Sequence, residues 1–191
     1  MSVATPEKSS DTRTRLLEAA MSEFIEAGYA GTDTNRIARR AGYAPQTFYR
    51  WFKDKATVMA EVLAVWDEAE IAMWQAVIQD RHLSAAELAE SCVDNMRPFL
   101  TFRLNLRSVL HQVPDIAARR VLGRRQLMQE LAPLVADHLD REQLGSLLVQ
   151  IDQLGEAIAR GDLADLGLSG VVAQQALAHL IAQLRGNGPA R

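Results

Sequence analysis

Gln46, Thr47 and Arg50 fall on one arc of a helical wheel, with Phe48 and Phe52 nearly opposite. An amide, a hydroxyl and a guanidinium on one face are the donors and acceptors that read base edges in a DNA major groove. Two aromatics behind them are what anchors such a helix to a core. Tyr49 lies at the border of the two faces, where a phenol reaches a phosphate. Lys55 follows Asp54, a residue that caps helices, so its ammonium and a helix N-terminus can serve one phosphate together. The surroundings are basic. Between Ala30 and Lys55 the acids are Asp33 and Asp54, against Arg36, Arg39, Arg40, Arg50, Lys53 and Lys55.

Positioning these groups takes two short helices joined by a tight turn. A first helix is expected from about Asp11 to Ala27, after a polar, mobile tail over Met1–Ser9, with Leu16, Leu17, Ala20, Met21, Phe24 and Ile25 on one face and Gly28 as its stop. Asp33 can cap a short second helix that carries Ile37, Ala38 and Ala41 inward and ends at Gly42. A third helix then starts with Pro45 at its first position, where a missing N–H costs nothing. Two short helices about a glycine turn, with a basic outer surface, describe a helix-turn-helix. Asp54 opens a long fourth helix to about Gln79. Because neither glycine nor proline occurs between Pro45 and Pro98, that helix is expected to act as a strut without a hinge.

With those residues in view, Thr12 to Val62 resembles the N-terminal domain of TetR-type transcriptional regulators. The resemblance rests on Leu16-Leu-Glu-Ala-Ala20, Phe24, Gly28-Tyr29, Gly31-Thr32, Ile37-Ala38, Ala41-Gly42, Thr47-Phe48-Tyr49, Phe52 and Lys55, whose spacing matches without gaps. It implies an all-α, homodimeric protein, usually a repressor, with a C-terminal domain that binds a small effector. It also implies that Thr34, Tyr49 and Lys55 contact phosphates, and that Asn35, Pro45, Gln46, Thr47 and Arg50 read or border bases. Arg36 joins the candidate contacts as part of the basic stretch. In place of the family's small apolar residue and serine after the turn glycine stand Tyr43 and Ala44; the lost serine removes a side-chain cap of about 1 kcal/mol, and the Tyr43 hydroxyl is a candidate substitute. Arg13 and Arg15 either reach DNA or are solvated.

The charge distribution agrees. The net charge is −3, yet residues 1–55 hold nine Lys/Arg against seven Asp/Glu while the remainder hold twelve against seventeen. A basic patch on an acidic body is the footprint of a site-specific DNA binder. No apolar run approaches the ~20 residues of a membrane helix, and Met1–Ser10 lacks the apolar core of a signal peptide. A cytoplasmic location without membrane contact is therefore expected. Cys92 is the sole cysteine, so an intramolecular disulfide is impossible. His82, His111, His138 and His179 have no metal-ligand spacing, and no nucleophile elbow, phosphate-binding loop or HExxH helix is present. Neither catalysis, metal nor cofactor is expected.

Helical periodicity continues to the end of the chain, giving about nine helices in all. Ser84-Ala-Ala-Glu87 is a capping box for a fifth helix that runs to about His111 with a bend at Pro98. Pro114 opens a sixth, Arg124–Leu139 a seventh interrupted by Pro133. An eighth carries Leu144, Leu147, Ile151, Leu154 and Ile158 on one stripe; a ninth, about Gly170–Arg185, carries Ala173, Leu177, Leu180, Ile181 and Leu184, before a Gly186-Asn-Gly-Pro tail. Those stripes are either intramolecular core or a dimer seam. On the wheel of the fifth helix, Asn95, Phe99, Phe102 and Leu106 share a broad apolar arc with Arg103 inside it. A guanidinium there needs a partner: an internal acid, or a ligand in a cavity walled by Phe99, Phe102, Leu106 and Trp66, with Asn95 and Arg103 as polar anchors. Trp66 serves equally well as plain core.

The expectation is thus a helix-turn-helix domain over 1–54 and an effector-binding and dimerisation domain over 55–191. Effector binding would tilt the strut helix and change the separation of two recognition helices. The other reading is a DNA-binding regulator switched by a protein partner, or not switched.

Overall fold

The computed structural model describes residues 6–186, with side chains from Asp11 onward. The part of the expected mobile tail before Pro6, and the tail beyond Gly186, lie outside the described residues. The rest is all-α, as expected, with no strand among the described residues. The helices are α1 (Pro6–Ala27), α2 (Thr34–Arg40), α3 (Pro45–Phe48), α4 (Lys55–Gln79), α5 (Ala85–Met96), α6 (Leu100–Gln112), α7 (Pro114–Val135), α8 (Arg141–Arg160), α9 (Asp162–Asp165) and α10 (Val171–Leu184). A 3₁₀ turn, Arg97–Phe99, joins α5 to α6.

Local signals set most of these boundaries. Asp33 accepts from the Arg36 N–H at 2.8 Å and caps α2. Ser84 and Glu87 close both bonds of the capping box at α5, and Asp140 with Gln143 does the same at α8. Pro98 falls in the 3₁₀ turn, where the single expected helix divides into α5 and α6. Three departures have physical causes. The first helix starts at Pro6 rather than Asp11, with proline in the first turn, where its missing N–H is tolerated. The expected sixth and seventh helices are one helix, α7, running through Gly123. An internal glycine costs about 1 kcal/mol, and burial of Ile116 on one side and Leu127, Leu131 and Val135 on the other outweighs it. The short α9 has no amphipathic pattern from which to read it.

The chain forms two compact units. One runs to Trp66 and takes in Thr101–Gly123. Its core joins Leu16, Ala20 and Phe24 of α1, Ile37 of α2, Phe48 of α3, Val58 and Leu63 of α4, and Phe102 and Val109 of α6. The other comprises Asp67–Leu100 and the described residues from Arg124 on. There α5, α8 and α10 pack on one another around Leu88, Cys92, Leu144, Ile151, Leu177 and Ile181, joined by Trp74 and Leu131. The strut helix is continuous and contributes its first half to one core and its second half to the other. Of the two sequence alternatives for the stripes, the middle of both is intramolecular core. Leu144, Ile151, Leu177, Ile181 and Leu184 are fully buried inside this unit, whereas Leu154, Ile158, Leu180 and Ala173 are only partly covered.

At Gly28 two constraints coincide. Its φ is +69°, in the left-handed region, and a Cβ there would lie 2.6 Å from the Asn105 amide of α6. At Gly42 φ is +81° but a Cβ would meet nothing within 4 Å. We expect Gly42→Ala to destabilise by the conformational term alone, about 1–2 kcal/mol, and Gly28→Ala by the same term plus the smaller cost of turning the flexible Asn105 side chain aside. Urea unfolding midpoints of the two variants check the ranking. Burial also pushes the Cys92 thiol up to about 11. At pH 8 its alkylation should run at least about 100-fold slower in the folded protein than in urea, since the thiolate is the reacting species. Timed iodoacetamide labelling measures this.

Candidate nucleic-acid interface

The turn between α2 and α3 is closed by backbone alone. Gly42 N–H donates to Arg39 O at 3.0 Å and Tyr43 N–H to Ala38 O at 2.9 Å, the paired bonds of a Schellman motif that needs a left-handed residue at Gly42. Ala44 precedes α3 without a side-chain cap, and Pro45 holds the first helical position. After Phe48 the chain continues in turns, with Trp51 N–H and Phe52 N–H both donating to Phe48 O at 2.9 and 3.0 Å.

Phe48 and Phe52 are buried to 0% and 1% exposure, with ring centroids 5.5 Å apart. On the other side Gln46 and Arg50 are exposed, and Pro45 and Thr47 are half-buried. Asn35 is exposed near the start of α2, and Tyr43 is half-buried against the first core. The Thr34 and Tyr49 hydroxyls lie 2.8 Å apart, so α2 and α3 present two O–H groups at one place. One proton joins the pair; the other is left for a phosphate oxygen.

The cations divide into two groups that the sequence does not distinguish. Glu23 of α1, 6% exposed, accepts from Arg36 Nε at 2.8 Å and from Arg40 Nη1 at 3.1 Å. Arg40 also forks onto Glu26, with Nη1 at 2.7 Å from Oε2 and Nη2 on Oε1. That bond holds the Glu26 carboxyl below its ordinary range. Lys55 donates to the Tyr29 and Thr32 carbonyls at 2.7 and 2.8 Å, and its ammonium lies 4.1 Å from the centre of the Tyr29 ring. Desolvation lowers its pKa, and one of its three protons remains for a phosphate. Arg13 pairs with Glu61 and sits over the Phe52 ring, and Arg15 pairs with Asp11 at 3.1 Å. By contrast, Arg39, Arg50 and Lys53 are exposed, and their side chains make no hydrogen bond or ion pair among the described residues. Arg39 and Lys53 were therefore missed as candidate contacts. Their place in the basic stretch was the available signal, but which arginines α1 would neutralise was not readable.

The residues considered for effector recognition are distributed over both units. Phe102 and Leu106 are buried in the first core, Trp66 packs on Phe102 with ring centroids 5.0 Å apart, and Arg103 is half-buried on the same helix. Phe99 and Asn95 belong to the other unit, where Phe99 is half-buried. Asn95 is exposed, contrary to its expected place on the apolar arc. That arc assumes one helix over 84–111. Within α5 the buried arc is Leu88, Ala89, Cys92, Val93 and Met96, and Asn95 falls at its edge; the 3₁₀ turn that follows breaks the register between α5 and α6.

An all-helical chain whose first unit presents free amide and guanidinium groups on a helix-turn-helix is a DNA-binding protein of that class. Residues 16–62 match the sequence model of bacterial regulatory proteins of the tetR family. Among curated proteins, an HTH-type transcriptional regulator of Bacillus subtilis, YdgC, is 23% identical over 149 residues, 76% of this chain and 73% of that protein. Among solved structures, Salmonella enterica GusR superposes with a TM-score of 0.68 at 17% identity, over 96% of this chain and 98% of that one. Bacillus subtilis FadR in complex with stearoyl-CoA gives 0.56 at 17% identity, over 88% and 96%. Residues 16–62 therefore carry a DNA-binding segment of the tetR-family type, and the chain shares the fold of these neighbours. No described helix is long and apolar enough to cross a membrane.

The paired hydroxyls predict a coupled phosphate contact. Thr34→Val and Tyr49→Phe should each weaken binding to every duplex by about 1 kcal/mol. The double variant should lose clearly less than the two singles combined, since each change already breaks the pair. Fluorescence titration of all four proteins on one duplex measures the coupling, and strict additivity would separate the two hydroxyls functionally.

Proposed function

We propose that the chain is a homodimeric repressor whose residues 1–54 read a double-stranded DNA operator and whose residues 55–191 dimerise and bind a small, largely apolar effector that releases the operator. The observation that carries the DNA reading is the exposure of Gln46 and Arg50 on the side away from the buried Phe48 and Phe52. Gln46 and Arg50 read bases, bordered by Asn35, Pro45 and Thr47. Thr34, Tyr49, Lys55 and the terminal nitrogens of Arg36 take phosphates, and Tyr43 borders them. The protein works in the cytoplasm, where its operator is.

The dimer partner is a second copy through the outer faces of α8 and α10. Gln150, Gln153, Leu154, Val172, Gln175, Ala176, His179, Leu180 and Gln183 line an open groove there. None of them is Asp, Glu, Lys or Arg. In a two-fold interface, residues near the axis meet their own copies, so a face of glutamines and small apolar groups pairs with itself without like-charge repulsion. Operator half-sites lie about 34–36 Å apart, and a shift of α4, which contributes to both cores, would take one recognition helix out of its groove. The effector reading is supported by a structural neighbour, FadR of Bacillus subtilis, whose crystal structure holds stearoyl-CoA. Trp66, Phe102 and Leu106 of the first unit supply its apolar contacts, with Arg103 as the polar partner.

Selecting duplexes from a random pool with the purified protein tests the proposal directly; no enrichment over the starting pool would defeat it. On an enriched duplex, Gln46→Ala and Arg50→Ala should each cost roughly 1–3 kcal/mol and relax base preference, leaving random-sequence duplex binding nearly unchanged for Gln46→Ala. Leu180→Glu should give a folded monomer by analytical ultracentrifugation, with weak operator binding. Ile151→Glu, at a fully buried site, should unfold instead. A parent protein that is monomeric at micromolar concentration would rule out the dimer.

A further inference from the structure

Six cations between Ala30 and Lys55 are available to the DNA-binding surface, and the tertiary structure withdraws one of them from it. Arg40 has both terminal nitrogens on carboxylates: Nη1 on Glu23 and Glu26 at 3.1 and 2.7 Å, and Nη2 on Glu26. Two oxygens of one carboxylate against the two terminal nitrogens of a guanidinium is the same fork that a phosphate would occupy. Arg36 is held differently, by Nε alone, and its side chain stays 46% exposed. Glu23 is the hinge of the arrangement. Its side chain is 7% exposed, and its two oxygens are divided between the two arginines. A carboxylate this buried has little water to turn to, so it keeps its cations unless it is removed.

We propose that Glu23 and Glu26 are specificity-determining residues that act as an internal phosphate surrogate for Arg40. They lower the sequence-independent part of DNA affinity and leave base readout at Gln46 and Arg50 with a larger share of the total. The inference rests on the DNA-binding reading and deepens it. Non-specific affinity comes almost entirely from phosphate neutralisation, and each added contact steepens the slope of log K against log salt by about 0.9. Between 50 and 200 mM salt that is roughly a further 3-fold loss per contact. One guanidinium kept off the backbone is therefore visible in the salt slope alone.

The test uses the full chain and a random-sequence duplex, titrated from 50 to 200 mM salt, beside a duplex that the parent protein enriches from a random pool. Glu26→Gln changes an exposed residue, and Glu23→Gln a buried one; circular dichroism and thermal melting confirm that each variant is folded. We expect Arg40→Gln to leave the random-duplex slope of the parent unchanged. The Glu23→Gln/Glu26→Gln pair should bind the random duplex at least about 3-fold tighter at 50 mM salt, with a slope steeper by about 0.9, and with a smaller ratio of enriched to random affinity. Glu18→Gln removes an exposed acid of α1 that engages neither arginine, and should change the slope by less than half as much. A parent slope that flattens in Arg40→Gln would overturn the proposal, because Arg40 would then already contact phosphate. A gain in Glu18→Gln equal to that of the pair would also overturn it, leaving net charge as the cause. Failure of the parent to bind any duplex at 50 mM salt defeats the DNA-binding reading itself, a result distinct from both.

Discussion

A helix of four residues has no stability of its own, because nucleation fixes several dihedral pairs for a single hydrogen bond. In this protein α3 exists because Phe48 and Phe52 are sunk among α1, α4 and α6. With those rings fully buried, the backbone between them can point in one direction only, and Gln46 and Arg50 are exposed as a consequence. The rest of the first unit serves that burial. Gly42 turns the chain tightly enough for α3 to follow α2, Asp33 ends the preceding loop at the right residue, and Lys55 ties that loop to the start of α4 through two carbonyls. Each is a modest interaction, and together they hold a recognition surface that propensity would not form.

Electrostatics then determines what that surface does. A protein that recognises a site has to keep its affinity for all other DNA low, and the means available is the number of phosphates it neutralises. Here the basic stretch is moderated from within. Carboxylates on α1 engage two arginines of α2, backbone carbonyls engage Lys55, and Arg39, Arg50 and Lys53 stay uncommitted.

The second unit is organised around a different requirement. Its stripes of leucine and isoleucine are used up internally, where α5, α8 and α10 meet. The groove that α8 and α10 leave open is lined by uncharged residues, among them Gln150, Gln153, Gln175 and Gln183. The division of labour within one helix is therefore by side: inner residues hold the fold and outer residues are open to a partner.

Much of this was legible in the amino-acid sequence because it is written locally. Asp33, Gly42, Pro45 and the Ser84–Glu87 box act on backbone groups within four or five residues, and the spacing of Phe48 and Phe52 against Gln46, Thr47 and Arg50 assigns faces to any helix that forms there. The all-α class, the helix-turn-helix and the long uninterrupted α4 follow from such signals. Three features depended on what lies far along the chain. Glu23 is 13 residues from Arg36 and 17 from Arg40, so their pairing arises only once α1 and α2 pack. The stripes of α8 and α10 look alike whether they face a neighbour in the same subunit or in another, since apolar burial is non-directional. The exposure of Asn95 follows from which arc of α5 is covered, Ala89, Val93 and Met96 being buried beside Cys92 where α8 and α10 pack. Short-range hydrogen bonding determined where helices begin and end; long-range burial and charge pairing, available only in the folded chain, decided which of their side chains remain free to act.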